Sequence, residues 1–182
     1  MIVVAFDPGL TGACSVLDHN GLRAVFDLPV MKIPNVGPAA KVQTKIDGRA
    51  LAKTLRTHCP AGEAVRTVIE GVNVMGGKKG QTNAIQFQGS LMRSLGSIET
   101  VLECMGWPPA YANPVVWKRF YGLLASEKDP ALTDSQRSAL AKKKASDCAR
   151  RLYPACTEIK RVKDHNRCEA ILIGHWLLRE LA

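Results

Sequence analysis

The chain lacks the sequence features of several protein classes. Its six cysteines are scattered and include no Cys-x-x-Cys pair, so neither a disulfide framework nor a zinc site is indicated and we expect a reducing compartment. No apolar run approaches the roughly 20 residues needed to cross a bilayer. The apolar start of the chain reaches Asp7 too soon for a signal peptide.

Acidic residues are few relative to basic ones. The 182 residues include 16 Asp and Glu against 25 Lys and Arg, which gives a formal net charge of +9. Hydrophobic residues make up 46% of the chain, as in an ordinary globular domain, so we expect one domain over residues 1–182. The basic excess favours a polyanionic partner such as nucleic acid. Charge alone leaves a generic basic protein equally open.

Strands dominate the first part of the sequence and helices the second. Apolar β-branched runs predict strands at residues 1–6, 13–17, 22–28, 64–69 and 109–112. Apolar positions three or four apart predict helices at residues 48–58, 83–105, 114–120, 133–152 and 164–181. Prolines and a glycine between residues 29 and 45 predict an irregular loop. This order fits an α/β fold with a mixed sheet flanked by helices.

Acidic residues end two predicted strands and interrupt the last helix. Asp7 and Glu70 each close a strand next to a Pro-Gly or Gly turn, and Glu169 lies in an apolar helical stretch. His165 precedes Glu169 by four residues, so both side chains project from one helix face. Taken singly, each acid is more typical of a cap or a solvated turn. Together with the basic surface they indicate a site of carboxylate oxygens and one imidazole, a donor set that suits Mg²⁺ or Mn²⁺.

Several motifs resemble those of a known family. The Asp7–Gly12 segment, DPGLTG, resembles the opening motif of RuvC-type Holliday-junction resolvases, which belong to the RNase H-like superfamily. Val68–Glu70 resembles the second acidic strand, and KDHNRCEA at residues 163–170 resembles the terminal helix of the chloroplast and phage-like subgroup. Asn166 and Cys168 stand where this subgroup has Gly and Ala.

The resemblance implies an RNase H-like fold with a mixed five-stranded sheet. It further implies an endonuclease that resolves four-way DNA junctions by symmetric paired nicks, using two Mg²⁺ ions, with Mn²⁺ as a substitute. Its metal ligands would be Asp7, Glu70, His165 and Glu169, with Asp164 left open as an alternative to His165. Lys118 and Lys144 would contact the phosphate near the transition state.

The same resemblance implies a set of DNA contacts and a homodimer. The glycine-rich segment 76–81 supplies lysines and glycines suited to a phosphate backbone, and Phe87 is a candidate for stacking on an unpaired base. Leu91, Met92 and Leu95 on the long helix are candidate dimer contacts. The expected DNA-contacting residues are Lys78, Lys79, Gln81, Lys118, Arg119, Lys142, Lys143 and Arg167.

Other functions stay open at this stage. One is an RNase H-like nuclease for other branched DNA or RNA–DNA substrates, and another is a non-catalytic basic DNA-binding protein. A nucleotide-binding fold of the actin or sugar-kinase type needs two lobes, for which the chain is short, so we expect no nucleotide cofactor and no membrane partner. The expected location is the cytoplasm of a bacterial or phage-infected cell, or an organelle stroma or matrix if the chain is a trimmed precursor.

Overall fold

A computed structural model of the chain describes residues 1–33, 43–72, 82–124 and 132–181, and side chains are described in all of these except residues 82–87. Lys78, Lys79 and Gln81, and the ring of Phe87, therefore lie outside the described residues. The elements in chain order are β1 (Ile2–Asp7), β2 (Ala13–Asp18), β3 (Gly21–Asp27), β4 (Val30–Ile33), β5 (Gln43–Ile46), α1 (Gly48–His58), β6 (Val65–Glu70), α2 (Thr82–Cys104), β7 (Ala110–Ala112), α3 (Pro114–Phe120), α4 (Asp134–Leu152) and α5 (His165–Glu180). Two short 3-10 helices, Thr157–Ile159 and Val162–Asp164, connect α4 to α5.

The main sheet has five strands in the order β3-β2-β1-β6-β7. The first three strands form an antiparallel meander, whereas β6 runs parallel to β1 and β7 parallel to β6. The predicted mixed five-stranded sheet is thus confirmed. Its parallel centre brings the carboxyl ends of β1 and β6 to the same edge, because Phe6 lies opposite Ile69 in the register.

Helices cover both faces of the sheet. One core cluster joins Ile2, Val4 and Phe6 of β1 to residues of α1 and α2. The other joins Ala5 of β1 and Val68 of β6 to residues of α3, α4 and α5. Because side chains alternate along a strand, Asp7 follows Ala5 and Glu70 follows Val68 onto the face that α5 covers.

The predicted boundaries agree closely with the structure, and the caps explain why. Asp47 accepts a hydrogen bond from the backbone N–H of Ala50 at 3.0 Å and begins α1. Thr133 and Gln136 form a capping box that begins α4. These side chains occupy backbone donors that the first helical turn leaves without a partner.

One predicted loop is wrong in part. Within residues 29–45, β4 and β5 pair in an antiparallel two-stranded sheet, and Val30 lies opposite Ile46. Each strand has only four residues, and Pro34, Gly37 and Pro38 lie between them in the sequence, so the composition concealed the pairing. Buried Ile46 and the hydrogen bond from Asp47 N–H to the Pro29 carbonyl at 2.8 Å tie this sheet to the core.

One predicted dimer contact is also wrong. The side chain of Leu95 is only 8% exposed and packs into the core beneath α2. The amphipathic helix turns this side toward the sheet, so Leu95 is not available to a second chain. Met92 is exposed and Leu91 is half-buried, so both remain candidate contacts. No helix in the described part of the chain is long and apolar enough to traverse a bilayer.

Helix α5 packs closely against the sheet at Gly174. A Cβ atom there would lie 2.4 Å from Leu17 Cδ1 and 3.2 Å from Ala5 Cβ. Ser15 strengthens the same contact, since its hydroxyl donates to the Ala170 carbonyl at 2.7 Å. The absence of a side chain at residue 174 thus sets how near α5 lies to β1 and β2.

We expect Gly174→Ala to destabilise the protein by about 1–3 kcal/mol, because the added methyl group forces α5 away from the sheet. Thermal unfolding measures the loss, at about 2–4 °C per kcal/mol for a chain of this size. Gly96→Ala in α2 is the matched control, since a Cβ there meets nothing within 4 Å. That control should gain about 1 kcal/mol from helix propensity. An equal response from both variants would contradict the packing argument.

Candidate metal centre

Three carboxylates converge where β1, β6 and α5 meet. Asp7, Glu70 and Glu169 each offer an oxygen, and these oxygens all lie within 4.8 Å of one another. Asp7 and Glu70 are the last residues of adjacent parallel strands, and Glu169 is in the first half of α5. The structure therefore brings together three of the four predicted ligands.

The turn after β1 determines where Asp7 lies. Gly12 N–H donates to the Gly9 carbonyl at 3.1 Å, and Leu28 N–H donates to the Gly12 carbonyl at 2.9 Å. A Cβ at residue 12 would lie 2.2 Å from the backbone oxygen of Asp7, so the turn closes this tightly only with glycine there. The backbone of the DPGLTG motif thus forms a tight turn, which leads the chain into β2 directly beside Asp7.

Packing on both sides of Glu169 fixes its position. Cys168, Ala170, Ile171 and Leu172 are all buried, so the helix cannot rotate without exposing them. At the start of α5, the Asn166 amide donates to the carbonyl oxygen of Thr11 and lies 3.4 Å from the Thr11 hydroxyl. This bond joins the helix carrying Glu169 to the turn that follows Asp7.

The carboxylates oppose one another electrostatically. Burial, followed by the charges of Glu169 and Glu70, raises the pKa of Asp7 well above its ordinary value. Burial also raises the pKa of Glu169, with a further contribution from Glu70. Glu70 is compensated better than the other two, since the Trp117 indole N–H donates to it at 3.2 Å and Lys118 Nζ lies 3.4 Å away.

The donor set fits a hard divalent cation. No side chain among the described residues donates a hydrogen bond to the carboxylates of Asp7 or Glu169, although both residues are half-buried. A positive ion would offset the repulsion and occupy oxygen atoms that the protein leaves available. An all-oxygen set favours Mg²⁺ or Mn²⁺ over metals that prefer sulfur or nitrogen.

His165 lies beside the carboxylates without joining the group of three. Together with Asp7, Thr11 and Asn166 it lines a groove of about 390 Å³. Burial, followed by the charge of Lys142, lowers the pKa of His165 and favours a neutral imidazole. A neutral ring can accept a proton or bind a metal.

Asp164 is engaged elsewhere. Its carboxylate accepts from the Arg161 backbone N–H at 2.8 Å and from the Arg161 guanidinium at 2.8 Å. Burial alone would raise the pKa of Asp164, but these hydrogen bonds outweigh it and lower the pKa. Asp164 stabilises the turn before α5, and of the two alternatives for a fourth ligand only His165 faces the groove.

Of the three consecutive lysines on α4, Lys142 is the one that lines the grooves beside the carboxylates. It lines the groove that contains Asp7 and His165, and also a second groove that contains Glu169 and Lys118. Its positive charge partly offsets the rise in the pKa of both Asp7 and Glu169. Lys144 is exposed two residues further along the helix and borders neither groove. The sequence predicts Lys142 only as a DNA contact, because a run of three lysines does not show which of the three side chains faces the carboxylates.

Arg167, an expected DNA contact, is bound instead to groups within the chain. Arg167 pairs with both oxygens of Asp27 at 2.6 Å and donates to the Glu158 carbonyl at 3.0 Å. The guanidinium therefore connects α5 to the end of β3 and to the first 3-10 helix, which is a structural role. Arg119 and Lys143 are exposed and stay in the candidate set.

Comparisons with known proteins support the fold. No protein-family model matches the sequence, and no curated protein matches it. A solved structure of T. thermophilus RuvC in complex with a Holliday junction substrate is similar over 100% of this chain and 97% of that one, with a TM-score of 0.52 and 13% identity. A further Thermus thermophilus RuvC structure aligns over 100% of this chain and 96% of that one, with a TM-score of 0.47 and 12% identity. The chain has the RNase H-like fold of the junction-bound RuvC structure, as its motifs predict.

We expect Asp7→Asn to raise the melting temperature in EDTA, because it removes a charge that the fold disfavours. Relief of about 1 kcal/mol corresponds to about 2–4 °C. Since the pKa of Asp7 is raised on folding, its destabilising effect is absent in acid, grows as the pH rises above the ordinary pKa of an Asp, and is complete above the raised pKa. The gain from Asp7→Asn should therefore shrink as the pH is lowered.

The same melting experiment tests cation binding. Mg²⁺ should raise the melting temperature of the wild type and have much less effect on Asp7→Asn. Glu103→Gln, an exposed carboxylate on α2, should leave both the EDTA value and the Mg²⁺ response unchanged. A lower melting temperature for Asp7→Asn in EDTA would show instead that the carboxylate stabilises the fold.

Proposed function

We propose that this protein is a divalent-metal-dependent endonuclease that resolves four-way DNA junctions by a pair of symmetric nicks. The observation that carries the proposal is the convergence of Asp7, Glu70 and Glu169 within 4.8 Å. It occurs in a fold whose similar structure, at a TM-score of 0.52, is a RuvC bound to a Holliday junction substrate. The net charge of +9 adds support, since a junction concentrates phosphates from four arms.

Asp7, Glu70 and Glu169 would hold the ions, with His165 as the candidate fourth ligand. We propose two Mg²⁺ ions per site, with Mn²⁺ as a substitute. When bound, such ions lower the pKa of water and neutralise charge on the scissile phosphate. The raised pKa of Asp7 and of Glu169 means that binding competes with protons, so activity should rise with pH over the range in which these groups ionise.

The remaining groups of the site would orient the DNA and compensate its charge. Lys118 reaches Glu70 and lies over the Trp117 ring, 4.8 Å from its centroid, so its position is fixed from two directions. Lys142 lines a groove together with Lys118 and Glu169, and it would offset negative charge on the phosphate as its leaving oxygen departs. The alternative to metal binding by His165 is that its neutral imidazole, which lines the same groove as Asp7, would position the attacking water and accept its proton.

Two cuts related by symmetry require two equivalent sites. A homodimer supplies them, because a two-fold axis through the protein can coincide with that of the junction. The exposed Met92 and half-buried Leu91 of α2 are our candidate contacts. The nuclease mechanism uses water as the nucleophile and needs no nucleotide cofactor.

A labelled four-way junction, a linear duplex, a flap and an RNA–DNA hybrid, each with Mg²⁺ or with EDTA, test this function. We expect symmetric nicking of the junction alone, and only with metal. Asp7→Asn and Glu70→Gln should reduce cutting by at least about 10³-fold, in line with loss of a principal electrostatic group. Binding should persist, since removing a negative charge does not weaken attraction to phosphate.

Other outcomes of this assay identify the alternatives. Preferred cutting of the hybrid or the flap would identify a different RNase H-like nuclease. Binding without cutting by the wild type, unaffected by Asp7→Asn, would identify a non-catalytic DNA-binding protein. Loss of binding together with cutting in the variants would indicate damage to the fold, which circular dichroism would detect.

Lys142→Gln and Lys144→Gln form a matched pair, because both remove one charge from the same helix. We expect Lys142→Gln to slow single-turnover cleavage by about 10²-fold. Lys144→Gln should weaken binding slightly and leave the single-turnover rate at saturating protein unchanged. If the larger loss occurs at Lys144, the proposed position of the phosphate is wrong.

A further inference from the structure

A basic turn with an exposed apolar side chain lies directly before the metal centre. The 160–163 turn consists of Lys160, Arg161, Val162 and Lys163, and His165 follows two residues later. Val162 is 92% exposed, far more than any other large hydrophobic side chain among the described residues. A single exposed apolar residue is common on protein surfaces, so its meaning depends on what surrounds it.

Polar contacts with α4 and with Asp164 hold the 160–163 turn in position. Arg150 on α4 donates from Nε to the Ile159 carbonyl at 2.8 Å and from Nη2 to the Arg161 carbonyl at 3.0 Å. Asp164, only 4% exposed, accepts from the Arg161 backbone N–H at 2.8 Å. Val162 is thus presented by backbone that is bonded on both sides, and little ordering is required when a ligand binds there.

A groove connects Val162 to the carboxylates. Val162 and His165 line one side of it, and Lys142, Lys143 and Ser146 of α4 line the other, around a volume of about 390 Å³. The groove beside Asp7 shares Lys142 and His165 with this one. A single strand could therefore run from the metal centre past His165 to the 160–163 turn without leaving the surface.

The charges along this path suit a nucleic-acid strand. Lys142, Lys143, Lys160 and Lys163 are exposed, and none forms an ion pair with a carboxylate in the part of the chain that the structure describes. Arg161 differs from them, because its guanidinium is bound to Asp164. Lys142 and Lys143 line the groove with Val162, and Lys160 and Lys163 flank Val162 in the sequence. This part of the surface therefore offers both phosphate contacts and an apolar surface for a base.

We infer that the 160–163 turn is a DNA subsite next to the cut. Lys160 and Lys163 bind phosphates beside the scissile one, and Val162 contacts the face of a base that is unstacked at the branch point. Where a duplex is opened, an apolar side chain can cover the face of a base that no longer stacks on the next base. The inference rests on the proposed function and adds to it a determinant of junction over duplex binding.

The test compares Val162→Ser with Val116→Ser in the full-length protein. Val116 is the matched control, since it is also exposed and lies about 200° around α3 from Lys118. The probe is a four-way junction with 2-aminopurine next to the cleavage site, with Ca²⁺ in place of Mg²⁺ to limit cutting. Fluorescence of this base reports its stacking, and anisotropy reports the affinity.

We expect Val162→Ser to lose most of the 2-aminopurine change and about fivefold in junction affinity, with duplex affinity unchanged. Val162→Leu should retain the signal, and Val116→Ser should match the wild type. The double change Lys160→Gln and Lys163→Gln should weaken binding to junction and duplex alike, and should reduce the salt dependence of log Kd by about 1–2.

Equal behaviour of Val162→Ser and Val116→Ser on the junction would overturn the inference while leaving the proposed function intact. Failure of the wild type to bind or nick the junction would instead defeat the proposed function, and this inference with it. An equal loss on junction and duplex with Val162→Ser would also count against it, since base contact at a branch point predicts selectivity.

Discussion

Repulsion among three carboxylates is the constraint to which the rest of the molecule is adapted. Asp7, Glu70 and Glu169 each place an oxygen within 4.8 Å of the others, and this proximity adds to the burial that raises the pKa of Asp7 and of Glu169. Their proximity persists because moving any one of them would disturb a buried element. The stability of the core thus holds together carboxylates whose mutual repulsion a bound cation would neutralise.

Helix α5 transmits that stability to the site. Its buried residues contact β1 and β2, and Gly174 permits an approach that any side chain would prevent. The same helix carries His165 and Glu169 on one side near its start. Core packing and ligand geometry are therefore not separable here, since a shift of α5 large enough to relieve a clash at Gly174 would also displace Glu169.

Charged residues around the site divide into two groups with different roles. Three arginines bind groups within the chain. Arg150 donates to carbonyl oxygens, Arg161 pairs with Asp164, and Arg167 pairs with Asp27. The lysines on α4 and on the 160–163 turn remain exposed. This division matches the chemistry of the side chains, because the planar guanidinium suits several fixed acceptors and the flexible ammonium suits phosphates that approach from solvent.

Local sequence patterns suffice to predict the order and approximate bounds of the elements and the three carboxylates of the candidate metal centre. Periodicity and capping are local properties, and an acid at the end of an apolar strand is visible without a structure. The pairing of β4 with β5, the burial of Leu95, the engagement of Arg167 with Asp27 and the choice of Lys142 over Lys144 depended on the tertiary structure. Each of these is a relation between distant segments or a choice of helix face, and local sequence leaves such relations open until the packing of the whole chain selects one.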